Sequence, residues 1–301
     1  MTVVDDGSTD DTPRVLRQYA SEARFSSIRL GKNVGTANAK NVGILCSAYD
    51  AITFHDSDDI PCEHKLLLQA RAMMLDGHVA DEILDWRAVG HEPHGRLEVD
   101  VVVGAYTLVK MDGSVHPIRR RISLVDDFFP NVQFPARTEG DWCLVNAGLF
   151  RRGVFERLGG FLDSIEEDRE LRNRTIAAGC IYYFVEEPLL TKIEMNDSLT
   201  LGDDTGFKGL KRLHDRREVW RRNELYRTGI LGKLVDEHAR VVVDVPDLRI
   251  EDVIHPRLLT LNRQIAATER TWAALRELEQ CKPPSSEIPS CETGSAEETR
   301  P

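Results

Sequence analysis

Behind the short apolar run Ile52-Thr53-Phe54 stand three carboxylates in four positions, Asp56, Asp58 and Asp59. Carboxylates this close raise one another's pKa, and the arrangement calls for a proton or a cation among them. Asp-x-Asp at a strand end, off any helical face, lets oxygens converge on a hard divalent ion. Mg²⁺ or Mn²⁺ in such a place takes one or two carboxylates and fills its shell with phosphate oxygens and water. A second acidic pair, Asp5-Asp6, follows Val3-Val4 in "VVDDGSTDD". Ligands of a doubly wound α/β sheet bind beyond the carboxyl ends of its strands, so the two acidic groups share one crevice if their strands are neighbours. The competing reading is that Asp and Ser simply build turns and helix caps there. An EF-hand is excluded for both, because the spaced ligands and terminal Glu are missing. His55, Cys62, Glu63 and His64 fit no structural zinc spacing.

The elements that must carry these residues alternate. Thr2-Val3-Val4 reads as a strand, and Asp10 or Asp11 caps a helix with Thr12-Pro13 in its first turn and Val15, Leu16 and Tyr19 as its buried stripe. "FSSIRL" is a strand, "GTANAKNVGILCS" a helix of small residues, "AITFHD" a third strand and "CEHKLLLQARAMML" an amphipathic helix. That rhythm predicts an α/β sheet. "LEVDVVVGAYTLVKMDGSVHPIRRRI" predicts two strands turning at Met111-Asp112-Gly113, and "CLVNAGLFRRGVFERLGGF" a strand then a helix. "EDRELRNRTIAAG" is a helix closing on Gly179, and "CIYYFVEEPLL" a strand stopped by Pro188. Beyond Ser198 the pattern turns helical. Residues 207–227 hold eight Lys/Arg against three Asp/Glu. "VVVDVPDLRIEDVIHP" reads as a short β element or a connector, and "LLTLNRQIAATERTWAALRELEQ" as a terminal helix.

Composition narrows the partners. A net charge of −11 argues against a general nucleic-acid binder, since phosphate backbones select the opposite sign. No apolar run is long enough for a spanning helix, and six scattered cysteines without a C-x-x-C pair read as reduced thiols of a cytoplasmic chain. The basic segment 208–222 is either a solvated face with its own ion pairs or a contact with anionic lipid at the inner membrane face.

Three motifs in order, "VVDDGSTDDT", "NVGTANAKNVGI" (Asn33, Gly35, Ala39, Lys40, Asn41, Gly43) and "FHDSDDI", resemble the nucleotide-sugar half of the family 2 inverting glycosyltransferases. "LFRRGVFERLGGF" and "EEDRELRNRTIAAG" are similar to the acceptor-side segment of that family, where Gly-Gly-Phe precedes a Glu-Asp pair leading a helix; "NDSLT" (196–200) resembles a loop after the last strand. The resemblance covers residues 2–200 and implies an α/β GT-A fold of the nucleotide-diphospho-sugar transferases, a Rossmann-like mixed sheet flanked by helices. It further implies a donor such as a UDP-sugar, Mn²⁺ or Mg²⁺, and a carbohydrate, lipid-linked or protein acceptor in polysaccharide or glycoconjugate synthesis. On that pattern Asp5 or Asp6 meets the nucleotide base, and Lys40 stands where the family often has an arginine near the nucleotide. Asp56 and Asp58 contact ribose or metal in the DXD motif, and Asp58 and Asp59 are the metal candidates.

Asp168 is the implied catalytic base. Inversion needs one carboxylate to take a proton from the acceptor hydroxyl while charge on the departing diphosphate is stabilised. The alternative for Glu166-Glu167-Asp168 is an acidic first turn that suits the helix dipole. Trp142 and Phe128-Phe129 are weaker candidates for stacking on an acceptor sugar.

Relative to the family the chain begins at the second strand. The expected organisation is a GT-A domain over 1–200 lacking the usual first strand and helix, a helical extension over 201–280 and a disordered tail over 281–301. That departure keeps a catalytically inactive GT-A-like binding module as the alternative. A nucleotidyltransferase, which also uses Mg²⁺ and aspartates, is less favoured, because no Gly-rich loop bearing Arg or Lys is visible.

Overall fold

The computed structural model describes residues 1–74, 98–118, 144–195, 205–206, 209–227 and 240–280. The first sheet runs β1 (Thr2–Asp5), β2 (Ser26–Leu30), β9 (Ile250–Ile254). β1 and β2 are parallel, with Thr2 opposite Ser26, and β9 lies antiparallel to β2. The second sheet is ordered β3 (Ala51–Thr53), β7 (Leu149–Arg151), β5 (Val101–Val109), β8 (Tyr182–Ile193), β4 (Ile60–Pro61), with β6 (Val115–Ile118) also on β5. β5 is parallel to β8 and antiparallel to β7 and β6, so the sheet is mixed. Buried from Val101 to Tyr106, β5 reads as the near-continuous apolar run of a strand covered on both faces.

The helices are α1 (Thr12–Gln18), α2 (Thr36–Leu45), α3 (Lys65–Met73), α4 (Arg152–Leu158), α5 (Glu167–Ala177), α6 (Leu210–Arg227), α7 (Glu269–Leu275) and α8 (Glu277–Gln280). One core joins both sheets. Phe54, at the end of β3, meets Phe161 edge-on at 5.0 Å, Phe155 at 5.9 Å and Phe150 at 6.0 Å. Such edge-to-face packing fixes ring positions as well as burying area. It sets the acidic corner after Phe54 beside the Gly159-Gly160-Phe161 turn that leads towards α5.

Several expectations change. Pro188 does not stop β8, which continues to Ile193; the register against β5 shifts around Ala105, opposite Pro188, where a residue without an N–H is tolerated. The stripe of α1 is not buried, since Val15 and Tyr19 are exposed and only the tilted Tyr19–Phe25 contact covers one of them. The terminal helix starts at Glu269. Before it, Thr260 and Asn262 spend their amides on the carbonyls of Cys46 and Leu45 at the end of α2, and Thr268 Oγ1 caps α7.

Residues 201–280 are not a purely helical extension either. β9 completes the first sheet, and Val243, Val245, Leu259, Trp272 and Leu278 lie in the same core as Ile28 and Phe155. Phe128, Phe129, Trp142, "NDSLT" and the 281–301 tail lie outside the described residues.

Candidate active site

The site begins at the loop after β1. Gly7 has φ +70°, and a Cβ there would sit 2.5 Å from the Lys32 backbone, so the turn needs glycine. Asp6 accepts hydrogen bonds from Val34 N–H (2.7 Å) and Gly35 N–H (2.9 Å), which ties this loop to the start of α2. Asp5 is fully buried, accepting from Ser8 N–H at 2.9 Å and lying 3.4 Å from Arg29. As placed, Asp5 braces the loop, and Asp6 is the partly exposed member of the pair.

Lys40 projects from the middle of α2 with its side chain 9% exposed. Its Nζ lies 3.3 Å from Glu167 Oε1, 3.4 Å from Asp168 Oδ1 and 4.0 Å from Asp56 Oδ1. Burial opposes its charge, but Asp168, Glu167 and Asp56 together outweigh burial and raise its pKa above the ordinary lysine value. One ammonium therefore joins the acidic corner after β3 to the acidic first turn of α5. Burial, then the neighbouring Asp168, push Glu167 up to about 7 against the pull of Lys40.

The three aspartates of the corner differ in setting. Asp56 is half-buried and accepts from the Asn146 amide, Asp58 is exposed, and the Asp59 side chain is buried with no hydrogen bond to either oxygen. Lys192 Nζ lies 4.0 Å from Asp59. Burial raises the Asp59 pKa, Lys192 lowers it, and Asp56 and Asp58 raise it further. An orphaned buried carboxylate beside an exposed one is a hard-oxygen set that a divalent cation would relieve. Among the described residues no three His, Cys, Asp or Glu side chains could hold an ion by themselves. A cation here would thus draw the rest of its shell from ligand oxygens and water.

Lys65 also serves this corner and was missed in the sequence. On α3 Leu66 and Leu67 are exposed while Lys65 and Gln69 are buried, the reverse of an apolar stripe. Lys65 donates to Asn146 O (2.6 Å) and Phe54 O (3.2 Å), and Gln69 to Ala147 O (3.0 Å). Burial lowers Lys65 to about 8, with Asp59 and Asp56 opposing. No sequence signal marks this, because the carbonyls that hold Lys65 and Gln69 are supplied by tertiary structure.

The turn before α5 is fixed from three directions. Asn41 of α2 donates to Phe161 O (3.0 Å) and accepts from Phe161 N–H (2.7 Å). Arg174 of α5 donates to Leu158 O and Gly160 O. Val241 N–H bonds Leu158 O at 2.8 Å from the C-terminal segment. A Cβ on Gly160 would lie 2.2 Å from Asn41 Oδ1, so the close approach requires glycine.

Residues 1–158, more than half of the chain, match the glycosyl transferase family 2 profile. The chain belongs to glycosyl transferase family 2. The mixed α/β architecture is that of its GT-A class, as the motifs implied. A stretch of 71 residues is 38% identical to an uncharacterized glycosyltransferase of Rickettsia bellii (strain RML369-C), covering 24% of this chain and 10% of that protein. Similar solved structures include the mannosyltransferase PcManGT from Pyrobaculum calidifontis in complex with GDP-Man and Mn²⁺, at 20% identity and TM-score 0.38 over 64% of this chain and 46% of that one. Another is S. aureus TarS 1-349 in complex with UDP, at 16% identity and TM-score 0.40 over 79% of this chain and 66% of that one.

The basic segment 208–222 of this family member is partly consumed within the fold. Arg212 and Arg216 pair with Glu166, Arg222 with Glu170, and Arg221 with Glu218, while Lys211 and Arg217 are exposed. No described helix is long and apolar enough to cross a membrane.

Proposed function

We propose that the chain is a metal-dependent inverting glycosyltransferase that moves a sugar from a nucleotide-diphospho-sugar, a UDP-sugar in the simplest case, to an acceptor hydroxyl in polysaccharide or glycoconjugate assembly. The observation that carries this is Lys40, whose one ammonium lies within 4.0 Å of both Asp56 and Asp168. A donor-binding corner and a proton-accepting carboxylate thereby border the same space. Inversion by direct displacement requires that arrangement.

In this reading Asp6 and the loop it ties to α2 border the nucleotide base, and Asp56 contacts the ribose. Asp58 and Asp59 would hold Mn²⁺ or Mg²⁺, which supplies stabilisation of the negative charge on the departing diphosphate. Asp168 accepts the acceptor's hydroxyl proton as that oxygen bonds the anomeric carbon and the bond from this carbon to the diphosphate breaks. Lys40 holds Asp168 and Glu167 in place by charge-assisted hydrogen bonds. Lys211 and Arg217 on α6 remain available for an anionic acceptor surface, including lipid.

The test is turnover of a broad panel of nucleotide-sugars with Mn²⁺ present and with a chelator added. Release of the nucleoside diphosphate in the first condition and its loss in the second is the expected result. Turnover indifferent to the chelator removes the metal from the proposal, and no turnover with any donor removes the activity.

A further inference from the structure

The base-bearing turn is also gripped by α6, and the grip converges on Glu166, two residues before Asp168. Glu166 Oε1 takes Arg212 Nη1 at 3.0 Å and Arg216 Nη2 at 3.1 Å, while Oε2 takes Arg169 Nε at 2.6 Å. Asp215 of α6 reaches the residues just before it. Its Oδ2 accepts from Ile165 N–H (2.9 Å) and from Ser164 Oγ (3.1 Å), and Ser164 Oγ accepts in turn from Glu166 N–H (3.0 Å). Arg212 also donates to Thr205 O at 2.6 Å. One turn further along, Arg222 meets Glu170 at 3.2 Å.

Positions 212, 215, 216, 219, 222 and 223 share one face of α6, and Val219 and Asn223 on it are buried. The polar face is therefore turned inward, and Leu210 and Trp220 stand 78% and 40% exposed. This inverts the usual amphipathic order. An inward polar face costs desolvation, and a pair made only for stability is replaceable by apolar residues of similar volume. What guanidinium forks add over apolar contacts is direction, since planar donors fix a carboxylate in angle as well as distance.

We infer that Glu166 is a positioning residue: Arg212, Arg216 and Asp215 of α6 fix the 164–166 segment so that the first turn of α5 presents Asp168 towards Lys40 and the donor corner. Glu166 touches no substrate in this role. It acts through the backbone of the turn, where the Glu170 N–H to Glu166 C=O bond of 3.0 Å passes its position into the helix. The inference rests on Asp168 being the base, and a displacement near 1 Å at a reacting group costs about 100-fold in rate.

The experiment compares the wild-type chain with Glu166→Gln, Arg216→Ala and Arg216→Lys by native-state hydrogen exchange, calorimetric UDP binding with Mn²⁺, and transfer kinetics. In Glu166→Gln and Arg216→Ala, the amides of Ile165, Glu166 and Glu170 should exchange about tenfold faster while Ala39 in α2 keeps its rate. The kcat should fall about 100-fold with UDP affinity within about twofold, and Arg216→Lys should recover part of the kcat. The inference is overturned if these amides and kcat keep wild-type values. It is equally overturned if exchange accelerates throughout the chain and UDP affinity falls with kcat, which marks a purely structural pair. Should the wild-type chain transfer no sugar, the catalytic reading fails separately, and the exchange rates alone decide whether α6 fixes this turn.

Discussion

The acidic corner after β3 and the first turn of α5 are built with different bonds. Around Asp6 and Asp56 most of the polar contacts are to backbone groups or neutral amides: Val34 and Gly35 N–H to Asp6, the Asn146 amide to Asp56, and Lys65 to the carbonyls of Phe54 and Asn146. Around α5 the contacts are guanidinium–carboxylate pairs: Glu166 with Arg212 and Arg216 and Glu170 with Arg222 across to α6, and Glu170 with Arg174 within α5 itself. Backbone contacts fix a loop in one shape. Ion pairs between separate helices fix the relative placement of two bodies. The corner is thus built as a preformed cradle, and α5 as a helix set by its neighbour, with Lys40 the link between them.

Three substitutions or conditions would break or sharpen that contrast. The largest effect is expected for Arg174→Ala. Arg174 and Glu170 are both fully buried, and removing the cation takes from Glu170 its buried partner on the same helix while freeing the Leu158 and Gly160 carbonyls. Loss of a buried partner costs about 3–5 kcal/mol, read as a drop in the denaturant midpoint. An unchanged midpoint would mean that α5 does not depend on its ion pairs.

Gly160→Ala comes next. The new methyl meets Asn41 Oδ1 and Val243 Cγ2, both held in place, so a loss of about 1–3 kcal/mol is expected in the same measurement. A neutral result would show that the turn between the two halves is slack.

The smallest effect is a pH dependence. Glu167 is raised from 4.5 to about 7, so between these values the folded chain holds a proton that the unfolded chain has released. Its contribution to stability is complete below 4.5 and is lost as pH rises to about 7. Relative to Glu167→Gln, the wild-type melting temperature should therefore decline from about pH 5 to about pH 8. Parallel curves would contradict the crowded placement of Glu167 and Asp168 around Lys40.

The same contrast explains what the sequence revealed. The family was legible because its motifs are contiguous: "VVDDGS", "NVGTANAKNVG" and "DSDD" each occupy one loop or helix start. The acidic start of α5 was legible for the same reason. Lys65 was not, since its partners Phe54 and Asn146 come from other segments and its own helix reads as ordinarily amphipathic. The inward face of α6 was equally hidden. Its arginines meet Glu166 and Glu170 across some fifty positions, and a basic run alone reads as solvated. The sequence of β9 reads equally as strand or connector because a five-residue stretch, "IEDVI", takes its identity from the β2 edge it pairs with.

In the function proposed above, Asp56–Asp59 and Asp168 act on one nucleotide-sugar bound beside Lys40. Asp168→Asn tests it most directly, with UDP affinity in Mn²⁺ measured by calorimetry beside the transfer rate on the same preparation. Affinity should stay within about twofold of wild type while the transfer rate falls by about 10²–10⁴-fold. Transfer at the wild-type rate, or loss of UDP affinity in proportion to the rate, would contradict it.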